Sequence, residues 1–276
     1  MKYELIATAT FGLEAVVKME LQDLGYSVVK VEDGKVTFIG DERAIVHTNM
    51  WLRTADRVYI KVAEFKAETF EELFQQVRAI GWEDYLTVDA AFPVVGTSVK
   101  STLHSVPSCQ SIIKKAIVSR LSDFYVQNHF DEAGANYRIR FSILKNHVTL
   151  LLDTSGAGLH KRGYRAVDVA APMKETLAAA LVRLSFWKEG VMRRDKDNPD
   201  HVARILVDPC CGSGTILIEA AMMARNIAPG LNRKFAAMAW DFIPEGLWDE
   251  ERQAAYNAVD YDSEVIIKGF DINGKA

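Results

Sequence analysis

Asp208, Gly212, Gly214 and Asp271 are the residues of this chain whose types and spacing most directly imply chemistry. Asp208 ends the apolar run Ile205, Leu206 and Val207, which reads as a parallel strand buried on both faces. Gly212 and Gly214 let the backbone turn tightly and approach a ligand, and Thr215 to Ala224 then reads as a helix whose first amides point at that ligand. A phosphate-binding P-loop needs a lysine after its glycine, and none is here. A dinucleotide fingerprint needs a third glycine where this chain has Leu217. An acidic residue followed by a Gly-x-Gly turn remains, with a ligand-free strand-to-helix turn as the competing reading. Val265 to Phe270 reads as a second buried strand, ending in Asp271, whose carboxylate suits the two hydroxyls of a ribose. Asn273 lies beside it, as a second ligand contact or as a turn residue.

Composition limits what such a cradle serves. The chain has 276 residues, 49% hydrophobic, and seven prolines, which fits a globular protein of roughly two domains. Cys109, Cys210 and Cys211 form no C-x-x-C pair and no metal-ligand set with the six histidines, so a reducing cytoplasm is expected and a metal centre is not. No apolar run approaches the ~20 residues that span a bilayer, and Met1 to Phe11 lacks a signal-peptide core. A membrane partner is therefore not expected. A net charge of −4 means that a nucleic acid would have to be met by a local basic face.

The elements that must position the cradle are readable along the chain. Tyr3 to Ala7 is a strand, and Leu13, Val16, Val17, Leu21 and Leu24 share a helical face that Gly25 stops. Val28 to Val31 and Val36 to Ile39 flank Asp33 and Gly34, a hairpin turn. A helix over Glu42 to Trp51 and a strand over Val58 to Phe65 complete a ferredoxin-like β-α-β-β-α-β unit. Thr69 and Glu72 form a capping box for a helix that turns Phe70, Leu73, Val77 and Ile80 inward. A strand over Phe92 to Val99 follows. Pro107 and Ser108 then open a long helix with Ile112, Ile113, Ala116, Ile117, Leu121 and Phe124 on its buried side. Tyr137 to Leu144 and His147 to Asp153 make a hairpin about Lys145 and Asn146, and the absence of a linker implies that the two units pack as one module. A helix over Lys174 to Trp187, with Leu177, Ala180, Leu181 and Leu184 as its core residues, leads into the first cradle strand. The aromatic and charged stretch from Ala228 to Tyr261 separates the two cradle strands by far more than the usual ~20 residues.

The Asp208 to Thr215 segment resembles motif I of S-adenosylmethionine-dependent methyltransferases. Together with Ser101 to Gln110, Lys114 to Ile117, Asp153 to Gly156, Leu159 to Arg165 and Ala171 to Ala178, it makes almost the whole chain resemble the THUMP-domain RNA methyltransferases. The nearest group within them is similar to the guanine-N2 methyltransferases of large-subunit ribosomal RNA. The resemblance implies a mixed α/β and α+β protein: a ferredoxin-like domain over residues 1–65, a THUMP RNA-binding domain over 66–155 and part of a Rossmann-like methyltransferase domain over 156–276. It implies S-adenosylmethionine as cofactor, contacted by Asp208, Cys210, Gly212, Gly214, Thr215, Asp271 and Asn273, with Glu175 and Thr176 nearby. It implies RNA as partner. The family's catalytic motif, Asn or Asp followed by Pro-Pro and an aromatic, is not in the sequence, which has no Pro-Pro pair. The expectation is an incomplete catalytic domain, with no catalytic residue assignable and no methyl transfer by this chain alone.

Three cations and two rings fall within His160 to Arg165. Lys161, Arg162 and Arg165 are candidates for RNA phosphates and Tyr164 for stacking, against the alternative of a solvated connection around a buried tyrosine. Lys114 and Lys115 either form an ordinary solvated face or, with Lys100, Ser101 and His104, a phosphate-binding surface. Cys210 and Cys211 read as small residues lining the turn and not as nucleophiles. A DNA adenine-N6 methylase and a non-catalytic RNA-binding scaffold are the competing functions.

Overall fold

The computed structural model describes residues 1–127, 129–165, 172–187, 205–263 and 265–272. Strands β1 (Tyr3–Thr8), β2 (Val28–Glu32), β3 (Lys35–Gly40) and β4 (Arg57–Lys66) alternate with helices α1 (Glu14–Asp23) and α2 (Glu42–Trp51) as a ferredoxin-like unit. Next come α3 (Phe70–Arg78), β5 (Val94–Val99), α4 (Val106–Tyr125), β6 (Ile139–Leu144) and β7 (His147–Asp153). The two units share one seven-stranded sheet of order β2-β3-β1-β4-β7-β6-β5. Antiparallel pairing of β4 with β7, from Tyr59 opposite Asp153 to Lys66 opposite His147, joins them, and β5 runs parallel to β6 at the far edge.

Local chemistry sets these boundaries. Gly34, at φ +74°, closes the β2–β3 hairpin, and Lys145 and Asn146, at φ +50° and +66°, close β6–β7. Asp41 accepts the Ala44 amide at 3.0 Å to cap α2, and the Thr69–Glu72 capping box opens α3. Leu5, Phe38, Ile60, Phe141 and Leu150 from the sheet share one core with Leu21, Ile45, Leu73, Val77, Ile113 and Leu121 from α1 to α4. Two rings expected in that core lie outside it: Phe70 is 40% and Phe124 56% exposed, each at a helix end where the face has rotated off the sheet.

The second unit is smaller. Helix α5 (Glu175–Leu184), β8 (Ile205–Asp208), α6 (Thr215–Ala224) and β9 (Ile266–Gly269) enclose Ala179, Val182, Trp187, Ala220 and Met223. Leu181 and Leu184, expected inside, point out; the small Ala178, Ala179 and Ala180 face inward, because α5 packs closely on α6. β8 differs too. It pairs in parallel with β9, but Ile205 and Val207 are half exposed, so only one face of this two-stranded sheet is covered among the described residues.

Residues 228–261, which the sequence showed only as an unusually long gap, wrap back onto the first unit. Trp240 stacks on Tyr137 at 5.0 Å and donates to the Asn136 carbonyl at 3.0 Å. Phe235 stacks on Trp248, and helix α7 (Leu247–Asn257) lies along α2, where Trp51 donates to Glu251 at 2.8 Å. Aromatic side chains carry large buried areas, so these rings are the anchors of the clamp. Gly230 crosses the end of α2 closely enough that a Cβ would stand 2.8 Å from the Met50 Cα and carbonyl oxygen. Gly230→Ala is expected to cost about 1–3 kcal/mol in denaturant unfolding, because backbone must move to admit the methyl group.

His47 sits in this clamp, with Nδ1 2.8 Å from the Tyr26 hydroxyl and Nε2 3.8 Å from Glu251, and Arg43 nearby. Burial holds its pKa below the usual 6.5 against the opposing pull of Glu251. His160 is lowered by burial and by Lys174. Neutral imidazoles are thus favoured in the folded state, so their stabilisation is present above the unfolded value of about 6.5 and lost as pH falls through the folded values. The melting temperature is expected to drop between pH 7 and pH 5, with a shallower drop in His47→Gln.

Candidate functional site

The cradle is built where β8 and β9 end side by side. Asp208 lies opposite Gly269, its carbonyl accepts the Phe270 amide at 2.9 Å, and the Phe270 carbonyl accepts the Cys211 amide at 2.9 Å. The Asp208 carboxylate accepts the Cys210 amide at 3.1 Å, and Asp271 Oδ2 accepts the Gly212 amide at 2.9 Å. Gly212 (φ +49°) and Gly214 (φ +74°) occupy the left-handed region, where a side chain would be strained. Gly214 immediately precedes α6, so the first-turn amides of that helix face the turn. Asp208, Gly212, Gly214, Thr215 and Asp271 therefore converge on one turn, as their spacing implied. Cys210 is exposed on it, Cys211 is half-buried behind it, and Asn273 lies outside the described residues. Among the described residues no group of three or more His, Cys, Asp or Glu could hold a metal ion, and no helix is long and apolar enough to cross a membrane.

The segment that leads to the cradle is bound into the protein. Arg162 is 4% exposed; its Nε lies 3.3 Å from Glu219 of α6, Nη1 donates to the Leu159 carbonyl at 2.6 Å, and Nη2 donates to the Arg53 carbonyl. Tyr164 donates to the same Glu219 at 3.0 Å, and burial beside that carboxylate pushes its phenol pKa up. Arg53 crosses from the first unit to the Ile227 carbonyl at 2.8 Å, and burial lowers its pKa to about 10 against the pull of Glu20 and Glu219. The expectation that Arg162 meets RNA phosphates is corrected: its guanidinium has no solvent face, and it ties both units to α6.

Arg165 is corrected likewise. Its Nη2 lies 3.0 Å from Glu175 and 3.3 Å from both the Thr215 hydroxyl and the Met173 carbonyl, so it belongs to the cradle. Thr176 donates across the junction to Asp56 at 3.0 Å, where Lys174 also pairs at 2.7 Å, instead of satisfying its own helix. Lys114 is occupied by Glu132 at 2.6 Å, the Phe92 carbonyl at 3.3 Å and the Phe92 ring. The Ser101 hydroxyl donates to the Val99 carbonyl at 2.9 Å and accepts the Asn146 amide at 3.0 Å, which fixes the neighbouring hairpin. Lys100, His104, Lys115 and Lys161 are exposed.

Sequence reading missed Glu219, Asp56 and Arg53. The one available signal was an acid within the apolar helix Thr215 to Ala224, since a carboxylate there demands a buried cation.

Comparisons with known proteins agree with this architecture. Residues 4–59 match the RlmL ferredoxin-like domain, 67–153 the THUMP domain, and 162–276 the RMKL-like methyltransferase domain. "Putative RNA methyltransferase YpsC" of Bacillus subtilis (strain 168) is 50% identical over 274 residues, which are 99% of this chain and 68% of the relative. A Listeria monocytogenes structure described as a predicted N6-adenine-specific DNA methylase superposes with a TM-score of 0.91 at 52% identity, covering 100% of this chain and 69% of that one. A methyltransferase by assignment, SMU.472, solved as a complex with SAH, superposes at 0.89 with 45% identity, covering 99% of this chain and 69% of its own. The chain belongs to the family of methyltransferases that join an RlmL-type ferredoxin-like domain and a THUMP domain to an RMKL-like methyltransferase domain.

Proposed function

We propose that this protein serves the transfer of a methyl group from S-adenosylmethionine to an exocyclic amino group of a base in RNA, guanine N2 of large-subunit ribosomal RNA. The observation that carries the donor half is the left-handed Gly212–Gly214 turn, braced between Asp208 and Asp271 at the N-terminus of α6. Its residues fit the cofactor: two carboxylates at adjacent strand ends, a glycine turn open to close approach, and a buried Arg165 nitrogen without a partner beside Thr215. The cofactor would supply the sulfonium methyl. The chain's own residues would seat it, with Asp271 on the ribose and the glycine turn against the methionine part. The acceptor nitrogen has its lone pair delocalised into the base and needs orienting acceptors. No residue of these 276 is assigned that role, and methyl transfer by the chain alone is not expected.

The RNA half rests on the THUMP domain and on the name of the Bacillus relative. Lys100, His104, Lys115 and Lys161 remain as phosphate contacts, whereas the heads of Lys114, Arg162 and Arg165 are committed within the protein. Replacing Lys100, Lys115 and Lys161 together by alanine is expected to lower the slope of log K against log salt for RNA binding by about 2, at roughly 0.7 per phosphate lost. An unchanged slope would remove these lysines from the interface.

The name of the Listeria structure favours DNA adenine N6 as the second reading. Mass mapping of large-subunit ribosomal RNA and DNA from cells with and without the gene separates the two. Loss of one N2-methylguanine supports the first; loss of N6-methyladenine from DNA supports the second.

A further inference from the structure

We infer that Arg165 is the anchor for the carboxylate of the methyl donor's amino-acid end, an inference that rests on the donor reading above. The Arg165 guanidinium is held by three groups of the second unit. Nε and Nη2 point at Glu175 Oε1, at 3.2 and 3.0 Å, and Nη2 also reaches the Met173 carbonyl and the Thr215 hydroxyl, each at 3.3 Å. Nη1 is buried and has no hydrogen-bond partner among the described residues. A guanidinium carries five N–H donors, and leaving the two on a buried nitrogen unpaired is costly. Its place in the fold says what would pair it. Thr215 is the first residue of α6, directly after the left-handed Gly214, and Glu175 is the first residue of α5, so the orphaned nitrogen belongs to a side chain that bridges two helix N-termini at the rim of the glycine turn. Helix N-termini and an unpaired guanidinium nitrogen all favour an anion there.

The anion must be small. Arg165 is only 20% exposed and is pinned by Glu175, so a polymer phosphate on the surface of the first unit does not reach Nη1. A single carboxylate at the end of a flexible amino-acid chain, seated against the glycine turn, does. Glu175 leaves Nη1 as the donor still to be satisfied and orients the fork, which makes Glu175 a positioning residue.

The test compares two ligands that share adenosine and sulfur and differ in the amino-acid end: S-adenosylhomocysteine and 5′-methylthioadenosine. Calorimetric titration of the 276-residue protein with each is repeated on Arg165→Met and Arg165→Lys. A charge-assisted hydrogen bond is worth roughly 1.5–3 kcal/mol, so Arg165→Met is expected to bind S-adenosylhomocysteine about 10–100-fold more weakly and methylthioadenosine within about twofold of the parent. Arg165→Lys, which keeps the charge and the fold, is expected to lose selectivity between the two ligands in part. Equal loss for both ligands in both variants would mean that Arg165 only shapes the turn, and unchanged S-adenosylhomocysteine binding would remove it from the site; either overturns the inference. A parent protein that binds neither ligand overturns the donor reading itself.

Discussion

Arg162→Ala is expected to destabilise the protein by about 3–5 kcal/mol, the largest effect of any single side-chain truncation in this fold. The Glu219 side chain has no exposure and that of Arg162 has 2%, so removing the arginine leaves a carboxylate in an apolar helix with only the Tyr164 hydroxyl as a further partner. The same change strips the Leu159 and Arg53 carbonyls of their donor. Arg162→Lys is expected to fall between, because an ammonium lacks the planar fork that meets Glu219 and two carbonyls at once. Replacing both partners, Arg162→Met with Glu219→Leu, is expected to recover much of the loss, since no charge is then buried alone. Denaturant unfolding of the four proteins checks the cycle. A loss below about 1 kcal/mol for Arg162→Ala would mean that the pair is solvated in solution.

Asp271→Ala is expected to weaken methyl-donor binding about 100-fold while leaving the melting temperature nearly unchanged. The carboxylate is exposed at the end of β9 and contributes little to either core, yet it accepts the Gly212 amide at 2.9 Å and stands at the adjacent strand tip to Asp208. Two charge-assisted hydrogen bonds lost together, one bracing the turn and one to a ribose hydroxyl, reach that size at roughly 1.5 kcal/mol each. Asp271→Asn keeps an acceptor oxygen and is expected to retain part of the affinity. Titration with S-adenosylhomocysteine, beside a melting curve, separates binding from folding; a matching loss of stability would make Asp271 a structural brace only.

These two residues also show what a sequence displays and what it hides. Asp271 was legible because its role depends on local order: a strand, an acid at its tip, and a glycine turn after a similar strand. The ferredoxin-like unit was legible for the same reason, with Asp33–Gly34 and the Thr69–Glu72 capping box marking ends that nearby residues dictate. Arg162 was not. Among Lys161, Arg162 and Arg165, what decides burial is a carboxylate 57 positions away, and no periodicity reports that distance. The clamp of residues 228–261 was hidden by the same physics: its tryptophans read as surface anchors or core with equal ease until Tyr137 and Phe235 supply their partners. Leu181 and Leu184 reversed because three alanines give α5 a closer approach to α6 than a leucine face allows.

The clamp and the Arg162–Glu219 pair together set where the cradle sits relative to the THUMP-containing unit. Asp56 adds a third tie through Lys174 and Thr176 at the start of α5. The basic surface of the first unit and the glycine turn of the second are thus parts of one packed body, the arrangement a methyl donor and a large RNA would require.

Equilibrium dialysis of the folded protein against radiolabelled S-adenosylmethionine tests the central claim most directly. One saturable site per chain, abolished by excess S-adenosylhomocysteine and weakened by Asp271→Ala, is the predicted result. Folded protein that retains no label at any concentration of the donor would contradict it.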